Sequence, residues 1–249
     1  MQLTSTFDRL PLLKRLLRSL RKKYAQYIRP HAYAVVKRHG VLFLVNFTDW
    51  ADRGITTLGV VERDQLIHLL EQIRRRQSTV FLDIGANLGT YAMFVARETA
   101  CRRIVAYEPD MRVYDQLRAN LLLNDLRDRI ETRTVAVSDR NGSVGFEPGP
   151  DTHDVLSKVV EDGSAKVSVT AVRLDDDLPC KGERIAIKLD IEGHEVAALA
   201  GMQRTLAEND CFLQVECWPQ NADAVIAAMA AQGYGLKHQI AVDHYFAKD

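Results

Sequence analysis

From Ser78 onward the chain alternates short β-rich runs with helically spaced ones, and that rhythm leaves few folds open. Val80–Ile84, Ile104–Glu108, Ile130–Val137, Ile185–Leu189 and Phe212–Glu216 read as strands. Between and after them, Thr90–Glu98, Arg112–Leu123, Glu195–Leu206 and Ala222–Gln232 carry helical spacing. Strands separated by helices pair in parallel through right-handed crossovers, which predicts an α/β, doubly wound, mostly parallel sheet. Tyr234–Ile240 and Val242–Ala247 have no helix between them, so they are expected as an antiparallel hairpin at one sheet edge. Residues 141–178 break the rhythm with Asn-Gly, Pro-Gly-Pro and Asp-Gly turn signals around runs such as Lys166–Val172. They are expected as an insertion of irregular strands near the substrate side.

The first 77 residues follow another pattern. Leu10, Leu13, Leu17, Leu20 and Tyr24 are spaced as one face of a helix, with Lys and Arg on the others. Residues 1–29 hold eight Lys or Arg against Asp8 alone, a local charge of +7, so in a neutral chain the remainder carries −7. A basic amphipathic helix within residues 9–29 either packs on the main domain or on a partner subunit in a homo-oligomer, or lies on an anionic membrane surface. An acidic main domain is a poor surface for phosphates, which argues against nucleic acid as a partner. The run Val41–Phe47 suits a strand, and Leu66, Leu69, Leu70 and Ile73 stripe a helix over Glu62–Arg75. The expected division is therefore a basic helix and cap over residues 1–77 and the α/β domain over 78–249. No apolar run reaches the roughly 20 residues a bilayer span needs. Lys14 and Arg15 interrupt the early apolar stretch before a signal core forms, and the four cysteines form no CxxC pair. These features point to a cytoplasmic, reduced setting, with peripheral membrane contact left to the basic helix.

Chemistry concentrates at two places. The strand Val80–Ile84 runs through Asp83 into Gly85-Ala86-Asn87-Leu88-Gly89 and then into a helix, putting small residues where a backbone must turn sharply beside a ligand. The alternative is a tight strand-to-helix turn and nothing more. Glu108 ends the next strand about 20 residues on, where an acid takes both ribose hydroxyls. The spacing is Gly-x-x-x-Gly and no Gly-Lys-Ser/Thr follows, so a nucleoside without pyrophosphate fits better than a dinucleotide or triphosphate. A nicotinamide-dependent oxidoreductase is further disfavoured by the lack of a Tyr-x-x-x-Lys pair. The second place is Lys188-Leu189-Asp190-Ile191-Glu192-Gly193-His194-Glu195, where alternating Lys188, Asp190 and Glu192 project from a strand end into the crevice such sheets use for ligands. A salt-bridged strand end with Glu195 capping the next helix is the structural alternative. The carboxylates Asp190, Glu192 and Glu216, with His194, offer an oxygen-rich set for a divalent metal, but no ligand spacing compels one and none is assigned. Tyr91, Trp50 and Trp218 fit core packing as well as a pocket wall.

The sequence resembles the FkbM-type methyltransferases through Phe81-Leu82-Asp83-Ile84-Gly85-Ala86-Asn87-Leu88-Gly89-Thr90-Tyr91, then Ala106-Tyr107-Glu108-Pro109-Asp110, then Ile187–Glu195. The resemblance covers roughly residues 40 to 217 and implies a Rossmann-like class I methyltransferase fold with S-adenosyl-L-methionine as donor and S-adenosyl-L-homocysteine as product. It puts the loop Asp83 to Gly89, with Gly85, Ala86 and Asn87, by the methionine part, Glu108 by the ribose, and Ala136, Val137, Ser138 and Asp139, ending the third strand, by the adenine; Tyr91 and Pro109 are further candidates for cofactor binding. Asp190 touches both donor and chemistry: Asp190 or Glu192 takes the proton from an acceptor hydroxyl, Lys188 tunes their charge, and His194 is a competing base. Acceptors implied are hydroxyls of a sugar, glycan or natural product. A cofactor-binding scaffold that has lost catalysis is the remaining alternative.

Overall fold

The computed structural model describes residues 33–47, 49, 52, 54–56, 59, 62–149, 157–160, 163–165 and 167–248. The expected basic helix within residues 9–29 and the expected wall residue Trp50 lie outside the described residues. Among those described, no helix is long and apolar enough to cross a membrane.

The centre is a seven-stranded sheet. Strands β3 (Val80–Ile84), β4 (Arg103–Tyr107), β5 (Glu131–Arg133), β10 (Arg184–Leu189) and β11 (Asp210–Glu216) are parallel, and β12 (Gly235–Ile240) and β13 (Asp243–Ala247) close one edge as an antiparallel hairpin. The order is β12-β13-β11-β10-β3-β4-β5, with the chain reversing direction across the sheet between β3 and β10. All five residues of β3 are buried, as expected where helices cover both faces of a parallel sheet. On one face, helices α1 (Arg63–Arg76), α2 (Thr90–Glu98) and α3 (Met111–Leu123) send Leu66, Leu69, Phe94 and Leu117 into a core shared with Phe81 and Ile104. On the other, Leu199 of α5 (Glu195–Ala200), Leu206 of α6 (Gln203–Glu208) and Val225 of α7 (Ala222–Ala231) pack on Leu82, Ile187 and Leu213.

The cap joins the first core. Strands β1 (Tyr33–Arg38) and β2 (Val41–Asn46) form an antiparallel hairpin whose Val41, Phe43 and Val45 pack into it. A helix face completes the other edge of β2. Asn120 Oδ1 accepts from Leu44 N–H at 2.6 Å, Asn124 Oδ1 accepts from Leu42 N–H at 3.0 Å, and Asn124 Nδ2 and Gln116 Nε2 donate to the carbonyls of Leu42 and Leu44. Spaced four apart, Gln116 and Asn120 of α3 and Asn124 at its C-terminal cap share one stripe and answer a strand edge that a helix backbone cannot.

Three expectations are corrected. The single strand over Ile130–Val137 is two: β5 pairs with β4, whereas β6 (Ala136–Val137) leaves the main sheet and pairs with β9 (Val167–Val172). Ala136 to Asp139 thus opens a second sheet and does not end the third strand of the first. That sheet has the order β6-β9-β7-β8, with β7 (Gly142–Glu147) and β8 (Lys158–Val160), so the insertion expected to be irregular is regular along these strands, followed by the short helix α4 (Leu174–Asp177). The helix over Glu195–Leu206 is broken at Gly201-Met202 into α5 and α6. A Cβ on Gly201 would fall 1.9 Å from the Ser138 carbonyl oxygen, so the contact between the two segments needs a glycine there.

Candidate active site

Sheet order brings the two sequence motifs together. β3 and β10 are neighbours, paired Ile84 to Leu189, so the turn after each emerges at the same end of the sheet. The Asp190 N–H donates to the Ile84 carbonyl at 3.0 Å, and a Cβ on Gly85, whose φ is +79°, would lie 1.7 Å from the Asp190 carbonyl oxygen. Gly85 is required twice over, by its left-handed conformation and by this approach. β11 flanks β10, which sets Glu216 beside Asp190: ligand atoms of Asp190, Glu192 and Glu216 all lie within 4.8 Å of one another.

A cavity opens at this end, at the reversal of strand order where α/β sheets bind ligands. Of the expected residues, Gly85, Asn87, Glu108, Pro109, Ala136, Val137, Asp190, Glu192 and His194 line it. Asp83, Ala86, Gly89, Tyr91, Ser138, Asp139 and Lys188 do not. Asp83 is fully buried, and its Oδ2 accepts from the Ala92 N–H in the first turn of α2 at 2.9 Å. Ser138 is buried and pairs with His194 Nε2 through its hydroxyl at 2.9 Å. Tyr91 and Lys188 sit beneath the motif, the ammonium 4.9 Å from the ring centroid. Val113, Phe146, Ser157, Lys158 and Val159 also line the cavity. Sequence reasoning missed them because four come from the insertion, whose alternation of Val144 and Phe146 was its one legible signal.

Glu108 is held at the lip. Its Oε2 accepts from the Asn87 N–H at 3.0 Å and its Oε1 from the Asp110 N–H at 2.9 Å. Burial pushes its pKa up to about 7 against the restraint of those two amides. Each oxygen retains a lone pair for a ligand hydroxyl. Beside it, Tyr107, Val113, Val137 and Val159 make an apolar slot, and Lys158 is the one Lys or Arg on the lining among the described residues.

The opposite end is acidic. Lys188 Nζ pairs with Asp190 Oδ2 at 2.8 Å; burial opposes its charge, but Asp190, Glu62 and Asp83 hold its pKa above the ordinary value. Glu192 has a φ of +55°, strained for a side chain, and burial together with Asp190 and Glu195 pushes it up to about 7. Glu216 is raised to about 9 by burial and then by Asp190, and its Oε2 accepts from Trp218 Nε1 at 2.9 Å. Glu195 binds within the protein, taking the Ile191 and Gly193 N–H groups on Oε1 and Asn221 Nδ2 on Oε2, and so fixes the turn that carries Glu192. The sequence did not single out Glu62, at φ +56°. Its Oε2 accepts from the Tyr91 hydroxyl at 3.0 Å, and burial above all raises its pKa.

Residues 83–236 match the model of the methyltransferase FkbM domain. The chain belongs to the FkbM methyltransferase family. It is 29% identical over 152 residues to hexuronic acid methyltransferase AglP of Haloferax volcanii, covering 58% of each chain. It is 30% identical over 162 residues to 2-O-methyltransferase NoeI of Sinorhizobium fredii, covering 58% of this chain and 64% of that one. With methyltransferase sdnD of Sordaria araneosa it shares 29% identity over 169 residues, 55% of this chain and 65% of that one. The matches thus span under two thirds of the length of these relatives.

Proposed function

We propose that this FkbM family member transfers a methyl group from S-adenosylmethionine to a hydroxyl of a sugar or related natural product. The observation that carries the reading is the polarity of the cavity: Glu108 and an apolar slot at one end, Asp190 and Glu192 at the other. When bound, the donor supplies an already activated methyl group. Glu108 takes the ribose hydroxyls and Val137 and Tyr107 flank the base, while the turn from Gly85 to Asn87 backs the methionine part. Asp83, buried with Oδ1 unpartnered among the described residues, acts from behind this turn. Asp190, paired with Lys188, or Glu192 holds the proton that leaves the acceptor hydroxyl. Alignment of the reacting atoms supplies most of the rate, so a weak base suffices. His194, tied to Ser138, is the competing base. The named actions of two relatives, on hexuronic acid and as a 2-O-methyltransferase, support a sugar hydroxyl as acceptor.

The clustering of Asp190, Glu192 and Glu216 favours one second reading, a divalent cation that lowers the acceptor hydroxyl pKa. Thorough chelation separates the two: undiminished turnover removes the cation. The first test is calorimetric titration with S-adenosylmethionine, S-adenosylhomocysteine and a nicotinamide dinucleotide. Micromolar binding of the adenosyl ligands alone, lost in Glu108→Ala, is expected; binding of the dinucleotide alone overturns the reading. With an acceptor in hand, near-normal turnover in both Asp190→Ala and Glu192→Ala would refute the carboxylate base.

A further inference from the structure

A polar knot beside the cavity ties the second sheet to the main domain. Asp110 caps α3, accepting from the Arg112 N–H at 3.0 Å, and the Arg112 guanidinium returns to its carboxylate, with Nη2 to Oδ2 at 2.9 Å. The same Asp110 Oδ2 accepts from the Ser157 hydroxyl at 3.0 Å. The Ser157 oxygen in turn accepts from the Gly149 N–H at 2.8 Å, and the Gly149 carbonyl accepts from Arg112 Nη2 at 2.9 Å. Gly149 follows β7 and Ser157 precedes β8, so the knot pins both arms of that hairpin to the first turn of α3. Asp110 is 5% exposed. Burial would raise its pKa, but the Arg112 contacts and the Ser157 hydroxyl hold it below the ordinary value, as a carboxylate must be to accept them all.

Two consequences meet at the cavity. Phe146 of β7, Ser157, and Lys158 and Val159 of β8 form the wall facing Val113 and Val137. On the main-domain side, the Asp110 backbone N–H donates to Glu108 Oε1, so the residue that holds the hairpin also aims the carboxylate at the lip. We propose that Asp110, Arg112 and Ser157 are positioning residues that latch the β7–β8 hairpin as the outer wall of the nucleoside slot, coupling this wall to the orientation of Glu108. The inference rests on the donor reading above and assigns the insertion to the nucleoside end of the donor and not to the acceptor.

The test is calorimetry of the full chain with S-adenosylhomocysteine and, separately, with adenosine, which presents the nucleoside alone. Ser157→Ala and Arg112→Gln each remove hydrogen bonds to a charged group or its bridge, and each is expected to weaken both ligands by about tenfold. Ser157→Thr keeps the hydroxyl and is expected to restore affinity to within about threefold. The ligand-free melting temperature of Ser157→Ala should stay within about 4 °C of the parent, since Asp110 keeps its Arg112 partners and only the Ser157 bridge is lost. Parent-like affinities for both ligands in both variants overturn the latch and leave the donor reading standing. Loss in Ser157→Ala that Ser157→Thr does not restore also overturns it, since the hydroxyl would not be the agent. A parent that binds neither ligand overturns the donor reading and the latch together.

Discussion

Asp83 illustrates a residue whose burial opposes its charge. Carried from the ordinary 3.8 to about 6 by burial, with Lys188 and the Ala92 amide only partly offsetting it, its carboxyl is easier to bury protonated. A raised folded-state pKa contributes stability that is fully present below the unfolded pKa and is lost as pH rises through the folded value. The loss falls between about pH 4 and 6 and amounts to about 3 kcal/mol at most. Asp83→Asn is therefore expected to flatten the fall in ligand-free stability over that range and to melt above the parent at pH 7, by calorimetry, while binding S-adenosylhomocysteine more weakly. A variant less stable than the parent at pH 7 would show that Lys188 needs that charge more than the core resists it. Glu62 stands in the same field: it is half-buried, left-handed in backbone, and hydrogen-bonded to Tyr91 under Lys188. No pattern in the sequence announces it, because the residues it meets are 29 and more positions away.

Among the elements, α3 does the most varied work. Its apolar stripe fills the core, its first turn holds the hairpin of the second sheet, and Gln116, Asn120 and Asn124 dress the edge of β2. Asn120→Ala leaves the Leu44 N–H without its acceptor and takes a donor from the Leu88 carbonyl, at an expected cost of about 1–3 kcal/mol. Hydrogen exchange should show the β2 amides opening first, and uniform loss of protection across the sheet would contradict a local role. The break between α5 and α6 depends on a different rule. Gly201→Ala drives a methyl group into the Ser138 carbonyl, which forces backbone apart at an expected cost of about 1–3 kcal/mol. Because Ser138 holds His194, the same substitution should also disturb the cavity, read as weaker S-adenosylhomocysteine binding than the stability loss alone explains.

For the molecule as a whole, one core runs from Val41 and Phe43 through α1 to the central sheet, so the cap and the α/β domain have no separate interiors among the described residues. Scanning calorimetry is expected to show a single transition, with β1–β2 lost together with the sheet; an early, separate transition of the cap would contradict that. The sequence by itself determined the layered α/β architecture, the edge hairpin and the two motifs, because hydrophobic period and glycine placement are local properties of the chain. β3 and α2 begin and end where the pattern put them. It also carried the family resemblance, which the match over residues 83–236 bears out. Only the tertiary structure decided that the strand over Ile130–Val137 divides between two sheets, that the insertion walls the cavity, and that Glu62 joins the acidic cluster around Lys188. Those outcomes depend on strand order and on contacts between residues far apart in the chain, and neither leaves a period in the sequence to be read.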